Sequence, residues 1–355
     1  MSVTQSDNGT WEASVWYRDW QGSRKRKHKR GFATKRDAKA WETAFIARQD
    51  GSPEMKMMHF YELYREDKMP HLKLNTWKTK EQIIETKILP FFGDMRLCDI
   101  MPADIVKWQS QMLMHRDKHG KPYSDTYLRT VNNQLSSMLN HAVRFYNLPV
   151  NPVSKSGKMG NARGGEMRFW TKEEYEAFSR EVMDKPLSYL AFEILYWTGI
   201  REGELLALTP SDFDFRRNDL SITKSYQRIG GEDVVTGPKT PKSTRVVKMP
   251  DFLVDEVAEH LRFSECGPDE RMFQVSKSYL YHEMERGCKA SGVKRIRIHD
   301  LRHSHVSLLI EKGFSPLAIA DRMGHESVDI TLRYAHMFPN AQSQMASALQ
   351  KEKGF

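Results

Sequence analysis

The sequence predicts a helix-rich, multidomain chain: a small α+β N-terminal domain with a three-stranded sheet plus one helix, an all-α bundle, and a mainly α C-terminal domain with a small antiparallel sheet. Three observations predict it. Residues 11–18 alternate apolar and polar side chains, the period of a half-buried strand. Residues 57–148 carry apolar positions at helical spacing. From residue 171 onward, helical patterns resume on either side of a strand-rich stretch around 220–249. A chain of 355 residues is in any case too long for one ordinary domain.

In the first domain, residues 1–52, Trp11, Ala13, Val15 and Tyr17 form the apolar side of the alternation. Asp19 to Ser23 supplies a turn, and Arg24–Phe32 returns as a second, strongly basic strand. Thr34 is placed as a helix N-cap with Asp37 three residues on, and the helix sets Ala38, Trp41, Ala44 and Phe45 on one side. Gly51-Ser52-Pro53 marks a boundary. Residues 57–150 read as four helices. Phe60, Leu63 and Tyr64 start the first, and Asn75 is expected to cap the second, which Pro90 should stop. The third begins near Pro102 and the fourth near Asp125, and short connections between them suggest a compact bundle. Residues 151–168, poor in apolar side chains, read as an extended linker whose Lys155, Lys158 and Arg163 could follow a DNA backbone. The last domain, 169–355, opens on a capping box at Thr171 and Glu174. Two helices lead to Thr198-Gly199, Leu220–Thr223 and Thr244–Met249 read as strands, and Gly230-Gly231 turns between them.

Composition narrows the classes of function. With 39% hydrophobic and 28% charged residues the chain fits a globular protein, and no stretch approaches the ~20 apolar residues of a membrane helix. The N-terminus lacks a secretory pattern, and three scattered cysteines (Cys98, Cys266, Cys288) form no CxxC spacing. A cytoplasmic protein with reduced thiols, no membrane partner and no zinc or disulfide framework is therefore expected. The net charge of +9 favours a polyanion. Residues 1–50 hold 11 Lys/Arg against 6 Asp/Glu, centred on Arg24, Lys25, Arg26, Lys27, Lys29 and Arg30. A solvated loop would account for such a run. A basic strand in a small α+β unit is, however, well shaped for the DNA major groove, and that context favours DNA binding.

Four short segments of the last domain carry the chemistry: Thr198 to Leu205, containing Arg201; Pro238-Lys239-Thr240 with Ser243 and Arg245; His299-Asp300-Leu301-Arg302-His303; and Gly324-His325 followed nine residues later by Tyr334. In this order and spacing they resemble the tyrosine recombinase (phage integrase) family. Residues 1–50 look like the arm-type DNA-binding domain of integrases from phages and conjugative transposons, 57–150 like the core-binding domain, and 169–355 like the catalytic domain.

The resemblance implies a site made of Arg201, Lys239, His299, Arg302, His325 and Tyr334, with Tyr334 as nucleophile. It implies a 3′-phosphotyrosyl intermediate, Lys239 as the acid that protonates the departing 5′-oxygen, and integration and excision of a mobile element. Double-stranded DNA with core-type and arm-type sites, a homotetramer on two DNA sites, and a directionality factor or DNA-bending protein are the expected partners. The tail, Ala341 to Phe355, is expected to dock on a neighbouring protomer. The residue types suit the task. Two arginines offer permanently charged donor forks for a phosphate transition state, histidines add hydrogen bonds or move protons, and clustered positive charge lowers a phenol's pKa. No metal or other cofactor is expected, because side chains supply the positive charge.

Plainer readings exist for each residue. Arg201 could cap a helix or pair with Glu202 or Glu204; His303 and His305 could be packing or hydrogen-bonding residues of a helix; Lys242 rivals Lys239; and Tyr226, Tyr279 and Tyr281 rival Tyr334 but lack the preceding Gly-His. The alternatives for the whole chain are an Xer-like resolvase, a relaxing topoisomerase, a non-catalytic DNA-binding regulator and a metal-dependent nuclease. The arm-like domain argues against the first two, the complete polar set against the third, and the want of a carboxylate cluster against the fourth.

Overall fold

A computed structural model describes residues 3–6, 9–18, 24–49, 53–160, 167–237, 241–332, 334 and 350. The chain divides into two compact units, residues 1–165 and 166–355.

The first unit opens with an antiparallel sheet of β1 (Val3–Gln5), β2 (Trp11–Arg18) and β3 (Arg24–Phe32), in that order. Register pairs Ala13 with Lys29 and Val15 with Lys27. Ala13 and Val15 are buried while Trp16 faces outward, as the alternation requires. Helix α1 (Lys35–Gln49) covers the inner face, its start held by the Asp37 N–H donating to Thr34 Oγ1 at 3.1 Å. Trp41 and Phe45 pack against Phe32 and Tyr17. The Ala44 side chain and the turn at 19–23 lie outside the described residues.

The bundle follows as α2 (Met57–Lys68), α3 (Leu74–Ile83), a π turn at Ile84–Ile88, α4 (Leu89–Phe92), α5 (Pro102–Met114), α6 (Asp125–Phe145) and α7 (Val153–Ser156). Its core joins Phe60, Tyr64, Trp77, Ile84, Phe92, Trp108, Leu135 and Met138. Three expectations need correction. Asn75 does not cap α3, because the helix already begins at Leu74 with Lys73 in the capping position. Pro90 does not stop the second helix. It sits in the first turn of α4, and the wide π turn before it absorbs the missing N–H and the bulk of the ring. The start of the linker is not extended. Asn151 binds Ser136 and Asn140 through its amide, and Val153 and Met159 are buried in the bundle core. Residues 161–166, with Arg163, lie outside the described residues.

The second unit contains α8 (Lys172–Arg180), α9 (Pro186–Thr198), α10 (Glu202–Leu205), β4 (Phe213–Asp214), β5 (Asp219–Ile222), β6 (Ser225–Ile229), β7 (Glu232–Thr236), β8 (Arg245–Lys248), α11 (Asp251–Arg262), α12 (Lys277–Ser291), α13 (Asp300–Glu311), α14 (Pro316–Met323) and α15 (Val328–Leu332). Strands β4, β5 and β8 form one antiparallel sheet, and β6–β7 is a separate hairpin turned at Gly230-Gly231. The capping box at Thr171 and Glu174 is formed in both directions. A large core built on α9 includes Phe178, Phe192, Tyr196, Leu220, Phe273, Leu280 and Leu301. A smaller one gathers Val306, Ile310, Ile319 and Met323 around Tyr334.

Candidate active site

Two glycines in the left-handed region deliver two of the expected side chains. Gly199 (φ 66°) ends α9, so the chain reverses and Arg201 lands at the start of α10. A Cβ on Gly199 would come within 2.7 Å of His305 Cδ2 and 2.8 Å of Met323 Cε, so the close approach as well as the backbone angle demands glycine. Gly324 (φ 62°) ends α14 and precedes His325. A Cβ there would lie 2.9 Å from Arg245 Cδ and from the Lys242 carbonyl oxygen.

Arg302, on the first turn of α13, is 4% exposed. Its Nη1 donates to the Gly199 carbonyl at 2.8 Å and its Nη2 to the Met323 carbonyl at 2.6 Å. One guanidinium thus ties α9, α13 and α14 together. Burial, with Arg201 and Arg245 nearby, brings its pKa down to about 9, still well above neutrality. Arg201 is more open, and it donates to both oxygens of Glu204, from its backbone N–H at 2.9 Å and from Nη1 at 2.7 Å. The pairing with Glu204 and the helix-start position, both read from the sequence as plain roles, therefore exist. They also aim the side chain. Buried Glu204 is shared with Arg245, whose Nη2 lies 3.0 Å from Oε2. Burial raises the Glu204 pKa, but the hydrogen bond and charge of Arg245 and those of Arg201 outweigh it and hold the carboxyl below its usual range.

His325 is fixed by its Nδ1 against Thr331 Oγ1 at 2.8 Å and by its N–H donating to the Ala320 carbonyl at 2.9 Å. Burial, then the charges of Arg302, Arg201 and Arg245, push its pKa down to about 4. His299, just ahead of α13, sets its ring edge-on to His303 with centroids 5.3 Å apart. Partial burial of the ring, then His303 and Arg302, push it down to about 4 as well. Both imidazoles are neutral at physiological pH. Tyr334 is 4% exposed, interacts electrostatically with Arg302, and its hydroxyl hydrogen-bonds His303 Nδ1.

Five of the six expected catalytic residues thus converge from α9–α10, α13, α14–α15 and the segment beyond. Lys239 lies outside the described residues. Its rival Lys242 donates from Nζ to the Glu326 carbonyl at 3.1 Å, tying the β7–β8 connection to the His325 loop. The rival tyrosines have other partners. Tyr226 donates to Asp233 Oδ1 at 2.7 Å, Tyr279 pairs with Ser188 at 2.8 Å, and Tyr281 lies under Arg295. His305 is the buried helix residue expected: its Nε2 accepts from Arg322 Nε at 3.0 Å, and burial pushes its pKa down to about 3. His303 is the residue the sequence understated. It does hydrogen-bond, but its partner is Tyr334. Its spacing of three from Asp300 on α13, and of four from His299 just ahead of that helix, is the signal that places it on the site's face. Among the described residues no group of three or more His, Cys, Asp or Glu side chains is arranged to hold a metal. The three cysteines are thiols.

The arm-like cations are presented differently. Arg24 to Arg30 on β3 are all exposed. Arg24 and Arg26 lie over Trp16 at 4.8 and 5.8 Å from its ring centroid, and Glu12 pairs with Arg30 at 3.1 Å.

Comparison with known proteins bears on the whole chain. The family model described as phage integrase family matches residues 168–341. The N-terminal SAM-like domain of phage integrases matches residues 58–113, and an arm DNA-binding domain matches residues 1–49. The chain is 30% identical over 294 residues to the ICEBs1 integrase of Bacillus subtilis, covering 78% of each. The chain belongs to the phage integrase family. It is a tyrosine recombinase of the integrase kind. This recombinase is also 27% identical over 368 residues to a putative prophage phiRv2 integrase of Mycobacterium tuberculosis, covering 98% of this chain and 94% of that one. Its fold matches the Tn1549 transposon integrase solved with circular intermediate DNA (TM-score 0.69, 18% identity, 84% of this chain and 100% of that one). It also matches a lambda integrase dimer bound to a core site (TM-score 0.60, 18% identity, 94% of each). No helix among the described residues is long and apolar enough to cross a membrane.

Proposed function

We propose that this recombinase integrates and excises a mobile element through a 3′-phosphotyrosyl bond to Tyr334, without metal or ATP. The observation that carries the reading is the grouping of Tyr334 with Arg201, Arg302, His299 and His325, residues drawn from across 134 positions of sequence close enough to act on one another's charge. In this reading the Tyr334 oxygen attacks phosphorus, forming an O–P bond while the bond to the 5′-oxygen breaks. Arg201 and Arg302 hold the non-bridging oxygens as charge builds on them. His299 and His325, neutral before DNA arrives, donate or accept hydrogen bonds at the same phosphate. Lys239 gives a proton to the leaving 5′-oxygen. Attack by another 5′-hydroxyl reverses the step, so bond energy is conserved and no nucleotide cofactor is needed.

The partners proposed are core-type DNA for the helical and catalytic domains and arm-type DNA for β3, with four protomers on two sites and a directionality or DNA-bending factor. The match to an arm DNA-binding domain favours an integrase over an Xer-like resolvase. The cytoplasm is the proposed compartment. The test is a nicked suicide substrate drawn from a pool of core-like duplexes, incubated with EDTA and without ATP. A covalent adduct that survives denaturation with the wild type and vanishes with Tyr334→Phe is the expected result. An adduct that persists in the variant would move the nucleophile elsewhere. Tight binding with no adduct from the wild type would favour the regulator.

A further inference from the structure

We infer that His303 is a catalytic residue that takes the proton from Tyr334 as the phenol oxygen attacks, with Asp300 setting its tautomer. This rests on the reading of Tyr334 as nucleophile.

The geometry comes first. His303 Nδ1 is hydrogen-bonded to the Tyr334 hydroxyl, and the rings are tilted with centroids 5.6 Å apart. On the far side of the imidazole, Nε2 lies 3.8 Å from Asp300 Oδ1. That is too long for a hydrogen bond but close enough for a buried carboxylate to favour the proton on Nε2. Asp300 is itself 1% exposed and is held ionised by Arg297, whose Nη2 lies 2.7 Å from Oδ1. With the proton on Nε2, Nδ1 offers its lone pair to the phenol O–H. Carboxylate, imidazole and nucleophile thus stand in a row, the order that activates a weak hydroxyl in other nucleophilic sites.

The electrostatics around the ring are consistent with this role. From its own helix and the residue run before it, His303 faces His299, Asp300, Arg302 and Arg297; from other elements it faces His325 and Tyr334. Burial, against the pull of Asp300 and with the push of Arg297 and Arg302, lowers its pKa. Protons balance over the cycle. The Tyr334 proton moves to Nδ1 as the O–P bond forms and Lys239 protonates the leaving 5′-oxygen; when a 5′-hydroxyl displaces Tyr334, its proton passes back to Lys239 and the imidazolium returns its own to the phenolate. His303 stands at this hydroxyl in the structure.

The experiment is single-turnover adduct formation by the full chain on the nicked substrate, followed from pH 6.5 to 9. His303→Asn keeps an acceptor near the Nδ1 position without a base, and His303→Ala serves if the first variant does not fold. A loss of ~10²-fold near pH 7 is expected, of the size general-base catalysis contributes. The loss should shrink as pH rises, because hydroxide then supplies the phenolate. It should largely disappear when residue 334 is a fluorinated tyrosine that ionises near neutrality. A merely structural role would not follow either dependence. A variant that matches the wild type at every pH, or a loss that neither pH nor the fluorinated phenol relieves, would overturn the inference. Failure of the underlying reading appears separately, as a wild type without adduct or an adduct that survives Tyr334→Phe.

Discussion

Two clusters of positive charge sit in this molecule, and they are built in opposite ways. On β3, Arg24 to Arg30 stand in water on an exposed strand, with Trp16 beneath two of them and Glu12 beside one. In the catalytic unit, Arg302 and Arg245 are buried and Arg201 half-buried, each fixed by carbonyls or by Glu204. An exposed cation is mobile and screened, so it contributes attraction to any phosphate chain. A buried guanidinium already desolvated and anchored need not reorganise when charge develops on a phosphate. The first cluster is suited to affinity and register, the second to lowering a barrier.

The largest effect that would break this contrast is at Arg302. Arg302→Lys keeps the charge but cannot span the Gly199 and Met323 carbonyls as a fork. Adduct formation should fall ~10³-fold in single turnover, in the range seen when one fixed transition-state donor is lost, while DNA binding changes little. Equal losses in binding and rate would mean that Arg302 acts as the β3 cations do.

The next effect is on stability. Glu204→Gln leaves Arg245 and Arg201 facing each other without a counter-charge, and the catalytic unit should lose ~3–5 kcal/mol in urea unfolding, as for other broken buried pairs. An unchanged midpoint would show the carboxylate to be dispensable for holding the arginines.

Acid should separate the two regions by a smaller amount. His305 and His325 have folded pKa values of about 3 and about 4, against roughly 6.5 when unfolded. Groups held neutral in this way add stability that is fully present above pH ~6.5 and is lost as pH falls toward 4, where the unfolded chain binds protons the fold refuses. Melting of the catalytic unit followed from pH 7 to 4.5 should show that loss, and a flat profile would contradict the burial of these rings.

The smallest change is expected on β3. Lys27→Ala should weaken arm-type DNA binding and reduce the salt slope by ~0.9 per charge removed, with cleavage of a core substrate unaltered. A cleavage defect would place this strand in the chemistry.

The two regions also differ in how far the sequence alone exposes them. Short-range chemistry makes the arm domain legible. Alternation buries Ala13 and Val15, Thr34 caps α1, and a run of six cations, Arg30 among them paired with Glu12, stays in water because burying so many charges would cost far more than one carboxylate returns. Period and capping likewise locate the helices, except where a π turn let a helix run through Pro90 and where Val153 and Met159 drew the expected linker into the bundle. The identities of Arg201, His299, Arg302, His325 and Tyr334 are visible as motifs in order. Their convergence is not, because contacts such as Arg302 with Gly199, 103 positions apart, depend on how α9, α13 and α14 pack.

His303 shows the limit most clearly. Sequence spacing puts it on a helix beside a motif, where a packing or hydrogen-bonding role is the ordinary one. Only the tertiary structure decides that its partner is Tyr334, 31 residues away. Periodicity and capping act over a few residues and are written into the chain. Which charged groups lose their water, and which then face one another, is fixed by long-range packing, and that packing brings the phenol and the imidazole together.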